Sequence, residues 1–357
     1  MPADAAGGVL HIDLGAIVAN WRLLCARHPS GPVAGVVKGD GYGLGAGPVA
    51  AALYAAGCRH FFVAVLDEAL AIRDLIPDAM LGVLGGLILG SEATYRAHRL
   101  TPVLGSLAEI HAWGQGGGAA ILHIDTGMAR LGLDARELAV LQQEHTRLAG
   151  IDLRFIMTHL VSAEAADDPM NQHQRARFDA ACATLPAAPR SFANSSGMFL
   201  GADFGSDLAR PGAALYGINP IPGQPNPMRP VVRLMGRVLA VREIPVGATV
   251  GYNATWRATR PSRIATVGVG YADGWQRALS GRTQAFFDGA PVPLVGRVSM
   301  DLTTFDVTGH PAIVPGTWLE LLGSSQTPDD VAVAAGTNGY EVLTSLALRL
   351  PRVYQAA

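Results

Sequence analysis

Charge is scarce in this sequence, and neither sign is in surplus. Of 357 residues, 16% are charged, with 27 Lys plus Arg against 29 Asp plus Glu. A chain without a basic excess has little with which to neutralise phosphates, so nucleic acid is not expected as a partner. Long hydrophobic runs are missing too. Although 49% of the residues are apolar and the mean hydropathy is +0.25, the longest near-apolar run, AMLGVLGGLILG, covers 12 residues. A spanning helix needs roughly 20, and no membrane partner is expected.

Cysteine is rare and odd in number. Cys25, Cys58 and Cys182 lie far apart, as in a protein with reduced thiols rather than a disulfide framework. The opening MPADAAGGVLHIDLGAIVANW lacks the basic stretch followed by an apolar core that marks a secretion signal. A cytoplasmic location is the expectation.

What is present is an alternation of apolar strand-like runs with helical stretches: GPVAGVVK, HFFVAVL, MLGVLGG, TPVLGS, AAILHIDTGM, LRFIMTHL, RSFANSS and DLARPGAALYG. Continuous apolar strands separated by helices imply a parallel sheet buried on both faces. Eight before residue 220 is the number that closes a (β/α)8 barrel of about 200 to 250 residues. The proline-rich GINPIPGQPNPMRP then reads as a linker. Beyond it lie short alternating strands bounded by Gly and Pro and a last helical stretch, GYEVLTSLALRL. The expectation is an α/β chain: an N-terminal TIM-type barrel over residues 1–225, then a mainly-β domain over 226–357, with residues 8–13 able to pair with the second domain.

In VVKGDGYGLGAG, Lys38 ends the first barrel strand, on the face where such barrels hold their chemistry. A lysine desolvated there has a lowered pKa and can form a Schiff base. A strand-end lysine is more often merely salt-bridged or solvent-reaching. Other polar residues raise its standing: Arg130 follows strand five, His159 strand six, Asn194 to Gly197 strand seven, and Arg210 and Gly212 strand eight.

These residues, with IDLGAIVANW, VVKGDGYG, FFVAVLDEAL, HIDTGMARLG, RPGAALYG, VGYNATW, VGYADGW, VGRVSMD and GYEVL, resemble the alanine racemases nearly end to end. That resemblance implies pyridoxal 5'-phosphate (PLP) bound covalently to Lys38, with Tyr42, Ser195, the backbone N–H groups of Gly212 and Ala213, and Tyr340 holding its phosphate. It implies Arg210 against the pyridine nitrogen, His159 hydrogen-bonded to Arg210, Arg130 on both the cofactor phenolate and the substrate carboxylate, and the Met300 N–H on the same carboxylate. The two bases that racemisation needs would be Lys38 and Tyr252. Tyr252, with Tyr271 and Tyr340 at the active-site mouth, would come from the partner in a head-to-tail homodimer acting on a small amino acid. An ordinary tyrosine, pKa about 10, is a poor base at neutral pH, so its proton must be passed on. No metal is implied. The product would supply D-alanine for the cell wall, or D-alanine would be degraded.

The sequence departs from the family pattern in places. His123 stands where a carbamylated lysine usually braces the active-site arginine, so bracing is expected to depend on pH; an inert core histidine is the other reading. Gly39 and Gly41 replace the usual alanines, which is expected to loosen the turn, and Leu44 stands for a usual histidine. Asn338 replaces an isoleucine, making the gate more polar and leaving a serine or broad-specificity racemase open. A PLP-dependent decarboxylase of the same fold type would carry a Cys/Asp-rich site in its second domain, yet all three cysteines precede residue 183. A single-barrel PLP carrier would lack residues 231–357.

Overall fold

The computed structural model describes residues 5–356. Its first strand, β1 (Gly8–Asp13), belongs to the second domain's sheet. The barrel strands follow: β2 (Gly35–Val36), β3 (His60–Val63), β4 (Met80–Val83), β5 (Thr101–Leu104), β6 (Gly118–His123), β7 (Ile151–Met157) and β8 (Arg190–Ser191), side by side in chain order. Every neighbouring pair is parallel. Successive side chains of a strand point to opposite faces. In β3, Phe61 and Val63 accordingly join the core under the helices while Phe62 joins the barrel interior. Burial on both faces is why these strands read as unbroken apolar runs.

The expected eighth strand is much shorter than its sequence suggests. Leu208 and Ala209 bridge Ser191 on one side and Val33 on the other, closing the sheet with Ala34 N–H donating to Ala209 O at 2.9 Å. Pro211 has no N–H with which to extend the ladder, and the chain turns into a short 3-10 helix, Ala213–Tyr216.

In the second domain β9 (Val232–Ile244) is the axis. Next come β10 (Thr249–Val250) and β11 (Trp256–Arg257), an antiparallel pair with Tyr252 in the loop between them. β12 (Ser262–Val267), β13 (Gln284–Phe287), β14 (Ala290–Pro293), β15 (Thr303–Asp306), β16 (Trp318–Leu322) and β17 (Arg352–Gln355) complete the set. β9 pairs antiparallel with β1, β12 and β16, and β1 pairs parallel with β17. Asp13 ends β1 and caps the helix Leu14–Arg27, its Oδ1 accepting from Ala16 N–H at 2.8 Å. The chain therefore crosses from one domain to the other within one residue.

The proline-rich linker is pinned at its end: the buried Asn20 amide donates to Arg229 O and accepts from Arg229 N–H, at 3.1 and 2.7 Å. The last helix covers only Gly339–Thr344. Leu343, Leu346 and Leu350 keep a helix-like spacing because all three face the core. Pro351 then leads into β17, its carbonyl accepting from Leu10 N–H.

The turn after β2 winds the other way from an ordinary helix. Gly39, Asp40, Gly41, Tyr42 and Gly43 all have positive φ, from 52° to 83°. The bonds Gly41 N–H to Val37 O and Gly43 N–H to Gly39 O, 2.9 and 2.7 Å, make this a left-handed α turn. Each residue with a Cβ costs about 1 to 2 kcal/mol in that conformation, and only Asp40 and Tyr42 carry one. Gly39 and Gly41 thus relieve strain in the turn, where loosening was expected. A Cβ on Gly43 would also lie 2.5 Å from Leu343 O. Gly281 shares the positive φ, at 69°, with nothing near its missing Cβ. Gly43→Ala is expected to lower the melting temperature further than Gly281→Ala. Equal shifts would mean that close approach to the 339–344 helix imposes nothing.

Candidate active site

The polar residues at the strand ends meet in one cleft of about 470 Å³. Lys38, Tyr42, Arg130, His159, Ser195, Arg210, Gly212, Ala213 and Tyr340 all line it. The barrel strands all run in one direction, so the residues that follow several of them reach this one mouth.

Arg210, 5% exposed, is the most constrained. Its guanidinium donates to Ser191 Oγ and, at 2.5 Å, to Thr158 O. Thr158 Oγ1 meets Thr126 Oγ1 at 2.7 Å, and the buried Gln174 amide donates to Thr126 Oγ1 and to His159 O. The loops after strands β6, β7 and β8 are thereby locked together. The expected hydrogen bond from His159 to Arg210 is not formed; two of the guanidinium N–H groups go to Thr158 O and Ser191 Oγ. The two side chains interact through charge instead. Burial first, and then Arg210, Arg130, Lys38 and His123, draw His159 down to about 3. Burial alone draws Arg210 down to about 10.

A donor set for an anion lies on the opposite side of the cleft. Ser195 Oγ accepts from the N–H groups of Gly212 and Ala214, at 3.1 and 3.2 Å. Gly212 is thus turned to Ser195 rather than into the cleft, while the Ala213 N–H and the Tyr42 hydroxyl have no hydrogen-bond acceptor among the described residues. A Cβ on residue 212 would lie 2.0 Å from the Tyr42 hydroxyl, so only glycine allows this approach. Tyr42 stacks on Tyr216 with ring centres 4.6 Å apart, and burial pushes its phenol up to about 12.

Tyr340 corrects an expectation. It lines the cleft of its own chain, because the helix Gly339–Thr344 packs on the Lys38 turn. Its hydroxyl donates to Glu164 Oε1 at 2.6 Å, and burial and that carboxylate raise its pKa. Asn338 lines the cleft as well, and its Oδ1 caps this helix by accepting from Glu341 N–H at 2.9 Å.

Lys38 is half-buried, and desolvation, then Arg130, lower its pKa against an opposing pull from Glu68. Burial, then Arg210, draw the buried His123 down to about 4, with Arg130 a smaller contributor. It is neutral at ordinary pH, and the pH-dependent bracing expected of it falls outside that range. Arg130 itself is exposed.

Tyr252, Tyr271 and Met300 do not line this cleft. They are 67%, 41% and 54% exposed on the second domain. The loops of the last two are joined, Tyr271 N–H donating to Ser299 O and Ala272 N–H to Met300 O.

Two signals were open to sequence reading and went unused. Lys38 is the one lysine in the entire sequence, the remaining 26 of the 27 basic residues being arginine. Glu68, inside VLDEAL, gives Oε1 to the N–H groups of Gly39 and Asp40 and Oε2 to those of Ala64 and Val65.

The chain matches the family models for the alanine racemase N-terminal domain over residues 12–220 and the C-terminal domain over 231–354. An alanine racemase of Acidiphilium cryptum is 56% identical over 352 residues, 97% of this chain and 98% of that one. A catabolic alanine racemase of Mesorhizobium japonicum is 47% identical, covering 98% and 94%. Among solved structures, alanine racemase from Bartonella henselae with covalently bound pyridoxal phosphate superposes with a TM-score of 0.94 at 39% identity, over 98% of this chain and 100% of that one. The biosynthetic alanine racemase of Pseudomonas aeruginosa gives 0.92 at 33%, over 98% and 99%. With both domains matched in order, the chain belongs to the alanine racemase family.

Proposed function

We propose that this protein is a PLP-dependent alanine racemase working as a head-to-tail homodimer, with Lys38 of one copy and Tyr252 of the other as its two bases. The observation that carries the reading is the meeting of the sole lysine with Arg130, Arg210 and unclaimed anion donors in one cleft. The residues present suit PLP. The Ala213 N–H and Tyr42 hydroxyl would hold its phosphate, with Ser195 fixing the loop beneath, and Lys38 its aldehyde carbon. When bound, PLP supplies the electron sink that weakens the Cα–H bond of an amino acid.

The chain's own groups divide the remaining work. Arg210 stays protonated at neutral pH and only donates, so a ring nitrogen facing it must accept. Arg130 pairs with a carboxylate through charge-assisted bonds, favouring amino acids over simple amines, and the exposed Met300 of the second copy would add its N–H as another donor. Burial and Arg130 keep more of the Lys38 amine free to take a proton. Inversion needs a proton removed from one face of Cα and returned on the other, and the exposed Tyr252 suits a role in a second copy's cleft. A phenol brought among Lys38, Arg130 and Arg210 loses its proton more readily than in water. Because enantiomers have equal free energy, one site serves D-alanine supply or breakdown, and concentrations set the direction.

With PLP and L-alanine in deuterated water, chiral chromatography is expected to find D-alanine carrying deuterium at Cα, and Lys38→Ala to abolish it. L-serine in the same assay tests the broader range. No exchange with any amino acid would sink the proposal.

Shared sites make a separate prediction. Lys38→Ala and Tyr252→Phe should each be nearly inactive, while a mixture allowed to exchange subunits recovers about a quarter of wild-type activity, since half the dimers then own one intact site. No recovery after confirmed exchange would place both bases in one chain.

The depressed histidines set an acid limit. An unfolded histidine takes up its proton near pH 6.5, whereas folded His123 waits until about 4. The unfolded state thus binds more protons between those values, so stability is complete above about pH 6.5 and is lost as pH falls toward 4. The melting temperature is expected to drop across that window and His123→Gln to flatten the drop. Identical slopes would show His123 uninvolved.

A further inference from the structure

We infer that Glu68 is the positioning residue for Lys38: its carboxylate caps the left-handed turn that presents the lysine and ties that turn to the end of β3. This rests on the reading of the cleft given above.

The first N–H groups of any helical turn lack partners inside it. In right-handed helices a side chain one step before the turn supplies the acceptor. Here Val37 precedes the turn and has no acceptor to offer, and the N–H groups of Gly39 and Asp40 find one on another element. Glu68 sits in the first turn of the helix Leu66–Ile72. Its Oε1 lies 2.6 Å from Gly39 N and 3.3 Å from Asp40 N, and its Oε2 lies 2.7 Å from Ala64 N and 3.4 Å from Val65 N. One carboxylate thus serves two neighbouring strand ends, with the strength of charge-assisted bonds. A glutamine could not replace it, having one acceptor oxygen and a donor amide where four N–H groups converge.

The same carboxylate bears on the lysine's proton. Arg130 and Glu68 are the charged groups acting on Lys38, with opposite sign, and the neutral His159 stands nearby. Glu68 therefore offsets part of the repulsion from Arg130.

The test exploits the lone lysine. In the full chain without cofactor, acetic anhydride labelling of the Lys38 peptide across pH reports the amine's midpoint. Glu68→Gln is expected to lower that midpoint by about 0.5 to 1 pH unit. Covalent capture of added PLP, read by visible absorbance and by borohydride-fixed mass on Lys38, reports placement. Glu68→Asp keeps the charge but withdraws both oxygens by one methylene. It is expected to hold the wild-type midpoint while slowing capture about three- to tenfold.

A wild-type midpoint in folded Glu68→Gln, or wild-type capture in Glu68→Asp, overturns the inference. If Glu68→Gln does not fold, Glu68→Asp decides. Failure of the wild type itself to capture PLP would defeat the cofactor reading instead, and labelling, which needs no cofactor, would still judge Glu68.

Discussion

Three basic side chains, Lys38, Arg130 and Arg210, are carried to one mouth by parallel strands, and their positive charge joins burial in setting the protonation of their neighbours. Like charges in a partly desolvated cleft are tolerated when neighbours stay neutral and anions are near. Both nearby histidines are held uncharged, at about 4 and 3. The carboxylates present act at the edges, Glu68 beneath the lysine turn and Glu164 on the Tyr340 hydroxyl. What remains in the middle is a space shaped for something negative.

Much of this was legible in the sequence because one physical cause produced each signal. The barrel strands show as apolar runs because both faces are buried, and Lys38 stands out because it ends such a run. Other features leave weaker traces. The eighth strand shrinks to Leu208 and Ala209 because closure needs only two bridges, and Pro211, which accepts from Val36 N–H, has no N–H of its own to carry the ladder on. Glu68 looks like an ordinary acidic residue in a first helical turn, and its second set of partners lies 28 and 29 positions earlier in the chain. The left-handed turn has a readable cause in its glycines, but their pattern also suits mere flexibility.

Tyr340 is the instructive miss. Its motif lies deep in the second domain's sequence, which suggests that it leaves with that domain toward another copy. Topology decides otherwise. The turn carrying Lys38 rests against Leu343 and Thr344, so the helix bearing Tyr340 stays with its own barrel. Tyr252 and Tyr271 sit on loops of the same domain yet remain exposed. One domain thus presents Tyr340 inward and Tyr252 and Tyr271 outward, a division that sequence order alone does not encode.

The placement of β1 bears on how the molecule is made. This strand is synthesised early, but its partners β9 and β17 follow by more than 200 and 300 residues, as the pairings of Leu10 with Leu234 and Arg352 require. On the ribosome the barrel helices can form while β1 waits with its edges unpaired. An exposed apolar strand of that kind is a site for mispairing, and late, long-range closure is slow. The growing chain must therefore guard its first strand until its last one arrives.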